Sequence, residues 1–277
     1  MIRKLIVTLV AVLAARPVFA AAVPARLTWK VGQILTYKVE HSTRDREVTT
    51  DGTVERKTSM SLIKSWQVID VDAEGVATVR LWLRRLSWEM TRVGGDVLKY
   101  DSAEPDKSSP EMRETFGKYF KTPLAVLRID PTGRVVQVKE SRHGPASRFD
   151  IELPFVALLP AMFEPEKSWD REYTITLEPP QGTGEKYPAV QHYIAKALSG
   201  SQATIAVTTA LKSPPEAAAD QMPLLDKLPE GEVVFDLAAG RLQKATLHVN
   251  KEIKNHMGEG STYQVQSDYS EEYAGDR

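Results

Sequence analysis

The sequence predicts a mainly β protein made of two similar, antiparallel, strongly curved sheets, half-barrel-like, each with a short helix or loop against its concave side. Three observations predict it. Many stretches alternate apolar and polar residues with the period of two that marks a half-buried strand. Turn chemistry separates them, at Asp51-Gly52, Asp72-Ala73-Glu74-Gly75 and Asp130-Pro131-Thr132-Gly133. The hairpin 124–138, LAVLRIDPTGRVVQV, also has an echo at 233–249, VVFDLAAGRLQKATLHV. There Phe235-Asp236 and Gly240-Arg241-Leu242 repeat Ile129-Asp130 and Gly133-Arg134-Val135, which points to an internal duplication.

The first residues speak of location. Arg3 and Lys4, an apolar run from Leu5 to Ala15, and Val18-Phe19-Ala20 have the layout of a secretory signal peptide, cut after Ala20 or after Ala22. The apolar run falls short of the ~20 residues a spanning helix needs. The expected organisation is a signal peptide over 1–20, a first β-rich domain over 21–148, a connector over 149–168 and a second β-rich domain over 169–277. This places the mature chain in the periplasm or outside the cell. With no cysteine in the chain, neither a disulfide nor a lipidated N-terminal cysteine can anchor it, so stability must come from buried apolar surface.

In the first half, Leu35, Tyr37, Val39 and His41 share one strand face, and the polar stretch from Ser42 to Ser61 reads as a long hairpin around Asp51-Gly52. From Leu62 to Met90 runs the longest β-like segment. Val79, Leu81 and Leu83 keep one parity, whereas Leu86, Trp88 and Met90 keep the other. A β-bulge at Arg84-Arg85 would return both sets to one face. Beyond Tyr100-Asp101-Ser102, Ser108 or Ser109 caps a helix with Pro110 in its first turn and Glu111 placed for a capping box. Met112, Phe116, Tyr119 and Phe120 form its apolar face, suited to cover an open sheet.

The second half repeats the pattern. Lys167-Ser168-Trp169 leads into Glu172 to Leu177, placing Tyr173 over Tyr37, and Ala203-Thr204-Ile205 follows Ser199-Gly200 as Ala77-Thr78-Val79 follows Glu74-Gly75. The chain ends in two strands, over 245–253 and 261–273.

Charge and motifs exclude several functions. A formal net charge of −1, more negative once Arg3, Lys4 and Arg16 are removed, offers no basic surface for nucleic acid. No HExxH, GxSxG, GxGxxG or P-loop occurs. Asp70 to Gly75 mimics the start of a calcium loop, but position twelve is Leu81 instead of the closing Glu. Ser61-Leu62-Ile63-Lys64 fits Ser-x-x-Lys in a strand context instead of the helix start that this chemistry uses. Asp101, Glu104 and Asp106 are the acids that a hydrolase of envelope polymers would need to converge. No histidine has another three or four residues away, and neither a metal nor a cofactor is expected.

Aromatic residues offer the remaining candidates. Trp82, Trp88, Phe116, Tyr119 and Phe120 could line a ligand pocket or serve as core. The chain resembles an uncharacterised family of exported bacterial proteins, common in planctomycete-like genomes. The resemblance is carried by Gly32 to Tyr37, Tyr100-Asp101-Ser102, Asp130 to Gly133, and Leu153-Pro154 through Trp169. Ser168 stands where related chains often place Gly. The resemblance implies export and a β-rich fold and brings no catalytic residue. The resulting expectation is a non-catalytic envelope protein that binds a lipid, another apolar small molecule or an envelope protein. An envelope-polymer hydrolase and a structural interaction module are the alternatives.

Overall fold

The computed structural model describes residues 22–276, so the expected signal peptide over 1–20 lies outside the described residues. After a short strand β1 (Val23–Pro24), five strands form an antiparallel meander: β2 (Ile34–Thr49), β3 (Gly52–Val71), β4 (Ala77–Thr91), β6 (Ala125–Ile129) and β7 (Val135–Ser141). A side strand, β5 (Val97–Asp101), pairs with the far end of β4, and helix α1 (Pro110–Gly117) follows it. The connector carries α2 (Arg148–Ile151) and β8 (Met162–Phe163), the latter paired with β1. A second five-strand meander comprises β9 (Ser168–Leu177), β10 (Glu185–Ser199), β11 (Gln202–Leu211), β12 (Glu230–Asp236) and β13 (Arg241–Lys254). Between β11 and β12 lie α3 (Ala218–Gln221) and the 3-10 turn Met222–Lys227.

The two predicted half-barrel sheets are not found. One twelve-stranded antiparallel sheet runs β7-β6-β4-β3-β2-β14 (Thr262–Asp276)-β13-β12-β11-β10-β9, with β5 paired to β4 beside this path, and it is open, with β7 and β9 at the ends of the order. The final strand, β14, is the reason. It pairs along nearly its whole length with β2 on one side and β13 on the other, so the backbone groups that would end each separate sheet are satisfied by one shared strand.

The bulge expected in β4 is present. Ile63 faces Arg85 and Lys64 faces Leu83, which leaves Arg84 as the extra residue. Leu81, Leu83, Leu86, Trp88 and Met90 therefore lie on one side, the inner face that the covering segments pack against. The helix cap differs from expectation. Ser108 Oγ accepts the Asp101 N–H at 2.9 Å and Ser109 Oγ accepts the Lys99 N–H at 3.1 Å, so both serines tie the helix to β5. Glu111 pairs with Arg92 at 3.1 Å instead of closing a capping box.

The main core joins both meanders through the connector. Phe155 is fully buried, with ring centroids 5.5 Å from Trp29, 6.1 Å from Tyr37 and 5.7 Å from Trp66. Each such side chain contributes roughly 1.5–3 kcal/mol by leaving water. The echoed hairpins meet here as well. Leu27 donates its N–H to the Pro131 carbonyl at 2.8 Å, and Thr28 donates to Gly240 at 2.9 Å, so one dipeptide bridges the two turns. Both turns are held by their aspartates: Asp130 Oδ1 accepts the N–H groups of Thr132 and Arg134, and Asp236 Oδ1 those of Ala238 and Ala239. Gly240, at φ 62°, has no room for a side chain, since a Cβ would lie 2.0 Å from Thr28 Oγ1.

Candidate functional site

The predicted aromatic set divides. Trp88, Phe116, Tyr119 and Phe120 come together around Tyr100 under α1, with Phe116 5.4 Å from Trp88, 5.3 Å from Tyr100 and 6.2 Å from Tyr119. Met112, Leu83 and Leu86 complete this cluster, and ring against ring fills the space beneath the helix. Trp82 belongs to the other face. It lies opposite Ser65, and the Arg84 guanidinium sits 4.9 Å from its ring centre. The bulge at Arg84 explains the split, because it reverses parity between Trp82 and Trp88.

The loop carboxylates do not converge. Glu104 pairs with Lys107 at 2.7 Å, Asp106 pairs with Arg113 at 3.4 Å with its side chain 96% exposed, and Asp101 accepts the N–H of Ala103. Asp72 in the calcium-like stretch holds its own turn through the Val76 N–H and pairs with Arg128. Ser61 donates to Glu40, whereas Lys64 sits beside Tyr37, so the Ser-x-x-Lys pair points to opposite faces of β3.

The geometry singles out a groove of about 580 Å³ on the inner face. Its floor is Leu247 and Val249 of β13, Tyr269 of β14, His41 of β2 and Lys64 of β3. One wall is the connector, through Ile151, Leu153 and Val156; the other is Asp226, Lys227 and Pro229. Ile175 of β9 closes the far side. Strands as distant in order as β3 and β9 contribute to the same groove.

The connector wall is fixed from both sides. Phe155 anchors it in the core, and the next residue, Val156, turns at φ 67°, a left-handed conformation that costs a β-branched residue roughly 1–3 kcal/mol. That turn sends Phe155 into the core while Val156 lines the groove. Arg171, buried on β9, clamps the segment before it. Its guanidinium donates to the carbonyls of Asp150 at 2.6 Å and Ile151 at 2.8 Å and to Gln191 Oε1 at 2.7 Å, and stacks 4.6 Å from the Tyr173 ring centre.

At the polar end, Lys64 Nζ lies 2.9 and 3.0 Å from the two carboxylate oxygens of Glu271, whose side chain is 0% exposed. The Tyr269 hydroxyl donates to the same carboxylate. Burial, and then the Glu271 charge, hold the Tyr269 hydroxyl far above its usual pKa, so it stays a donor. His41, hydrogen-bonded to Ser267 Oγ at 2.9 Å, is pushed below its ordinary pKa by burial despite the opposing charges of Asp226 and Asp268. His248 also lines the groove and faces Glu230 at 3.4 Å.

Sequence reasoning passed over the groove. The missed signal was a charge in an otherwise inward row: Glu271 between Tyr269 and Tyr273, and Lys64 between Leu62 and Trp66. Among the described residues, no group of three or more His, Asp or Glu is placed to hold a metal ion, and no helix is long and apolar enough to cross a membrane.

No protein-family model and no curated protein matches the chain. Among solved structures, lipovitellin, in a structure concerned with its lipid–protein interactions, is similar over 90% of this chain at 11% identity and a TM-score of 0.46. The chain spans 26% of lipovitellin's length. DynF from the dynemicin biosynthesis pathway of Micromonospora chersina is similar over 92% of this chain and 87% of its own, at 10% identity and a TM-score of 0.21. At these scores neither likeness establishes a shared fold, and the functional reading rests on the groove itself.

Proposed function

We propose that this chain is an exported, non-catalytic binding protein that holds an apolar or amphipathic small molecule in the inner-face groove. One observation carries the reading: a cavity of about 580 Å³, within the ~300–1,000 Å³ usual for small-molecule sites, in which aliphatic side chains from the floor and the connector wall lie among polar and charged ones. Leu247, Val249, Ile175, Leu153 and Val156 offer surface to an alkyl chain. Each methylene buried there stabilises the complex by about 0.8 kcal/mol. Export is supported by the signal-peptide layout of residues 1–20.

Nile red, an uncharged apolar fluorophore, tests the reading. The protein is expected to bind it with a blue-shifted emission, and Leu247→Trp, which fills the floor, is expected to weaken binding at least tenfold with a near-native melting temperature. Equal binding by the variant, or none by the native chain, would remove the groove as the site.

A further inference from the structure

We infer that the ligand of this groove carries an uncharged polar head, of the ester-carbonyl kind found in acylglycerols, seated on the Lys64 ammonium, and that Glu271 sets this choice. The inference rests on the groove being the ligand site and adds the chemistry of the head.

Lys64 rises from an inward row, between Leu62 and Trp66, and its side chain keeps 18% exposure where it lines the groove. An ammonium has three N–H donors. It donates to Glu271 Oε2 at 3.0 Å and lies 2.9 Å from Oε1 as an ion pair, which leaves N–H capacity for a ligand. The Trp66 ring, 5.9 Å from the ammonium, contributes a face rather than an acceptor. Tyr269 cannot serve as a second donor, because its hydroxyl is already given to Glu271. At the polar end the donor left to a ligand is thus the Lys64 ammonium.

Charge then decides what accepts it. Glu271 is wholly shielded from water, and Lys64 is the cation paired with it, so the two together are locally neutral. A carboxylate or phosphate placed on Lys64 would lie one ammonium away from a buried anion whose charge water does not screen. The surrounding walls supply no net positive charge. Lys227 is paired with Asp226 at 3.0 Å, and Arg148, which keeps its charge while donating to the His143 carbonyl at 3.0 Å, is outnumbered by two carboxylates. Glu152 and Glu178 also line the groove, and His41 is held neutral by burial. A neutral carbonyl takes the free N–H without this repulsion, and its alkyl chain then runs along Leu247 and Val249.

The test is displacement of Nile red by 1-monooleoylglycerol and by oleate at pH 8, with the native chain and Glu271→Gln. The native chain is expected to prefer the monoacylglycerol at least tenfold. Glu271→Gln frees the Lys64 charge and is expected to shift the ratio at least tenfold toward oleate. Should that variant fail to fold, the paired Lys64→Met/Glu271→Gln change removes both charges; it is expected to keep Nile red while weakening the monoacylglycerol at least fivefold. Oleate binding the native chain as tightly as the ester, an unmoved ratio in Glu271→Gln, or full ester affinity in the paired variant would each overturn the inference. Nile red bound but displaced by neither lipid would also overturn it and leave the groove standing, whereas no Nile red binding at all would remove the groove reading beneath it.

Discussion

Two regions on the inner face of one sheet are covered in opposite ways. Under α1, an eight-residue helix lays Met112 and Phe116 onto Trp88, Tyr100, Leu83 and Leu86, and the rings close the space. Under the connector the cover is irregular, held by Phe155 on one side and Arg171 on the other, and it bridges a groove instead of filling it. The difference follows from what the strands present. The floor beneath α1 is apolar and can be sealed by apolar side chains, whereas the floor beneath the connector includes Lys64, paired to Glu271, whose ammonium would lose its remaining hydration under an apolar plug. Aromatic richness marks the sealed region, and paired charge marks the open one.

Arg171→Met gives the largest expected effect. The guanidinium binds two connector carbonyls and Gln191 from a position only 8% exposed, and hydrogen bonds from a charged donor contribute roughly 1.5–3 kcal/mol each. Loss of the clamp is expected to destabilise the fold by about 3 kcal/mol in urea unfolding and also to weaken Nile red binding, because the groove wall is released. Stability loss with unchanged binding would show that Arg171 is not what shapes the groove.

Phe116→Ala probes the sealed region. Phe116 contacts three aromatic rings but is only partly buried, so its truncation falls at or below the lower end of the ~3–5 kcal/mol measured for buried phenylalanines. A cost of about 2–3 kcal/mol by the same unfolding assay, with Nile red affinity within twofold of native, is the expected pattern. A marked loss of affinity would make the aromatic cluster part of the binding site.

Much of the fold was legible in the chain. Period-two runs located the strands, Asp130-Pro131-Thr132-Gly133 and Asp236 to Gly240 located two turns held by aspartate, and the parity change at Arg84-Arg85 located a bulge. The joining of the meanders was not legible, because alternation shows that 261–273 is a strand and says nothing about its partners; β14 chose β2 and β13 through long-range pairing. The groove was not legible for a related reason. Trp82 and Trp88 look equivalent until the bulge sends them to opposite faces, and Glu271 meets Lys64 across three neighbouring strands that sequence spacing does not relate.

The smallest expected effect tests whether the open region stays neutral. Burial holds the folded pKa of His41 below the unfolded value of 6.5, against the opposing charges of Asp226 and Asp268. The sign follows from proton counting. Above pH 6.5 neither state carries the proton, and the stability linked to a neutral His41 is fully present; as pH falls below 6.5 the unfolded chain takes up a proton that the folded chain resists, and that stability is lost down through the depressed folded value. In the sealed region Phe116 has no such dependence. His41→Gln, which keeps a hydrogen-bonding group beside Ser267 but cannot titrate, is therefore expected to lose less melting temperature than the native chain between pH 7 and pH 5.5, while Phe116→Ala tracks the native slope. Parallel slopes for the native chain and His41→Gln would mean that protonated His41 is accommodated in the folded groove, and the open region would then differ from the sealed one in shape but not in its tolerance of charge.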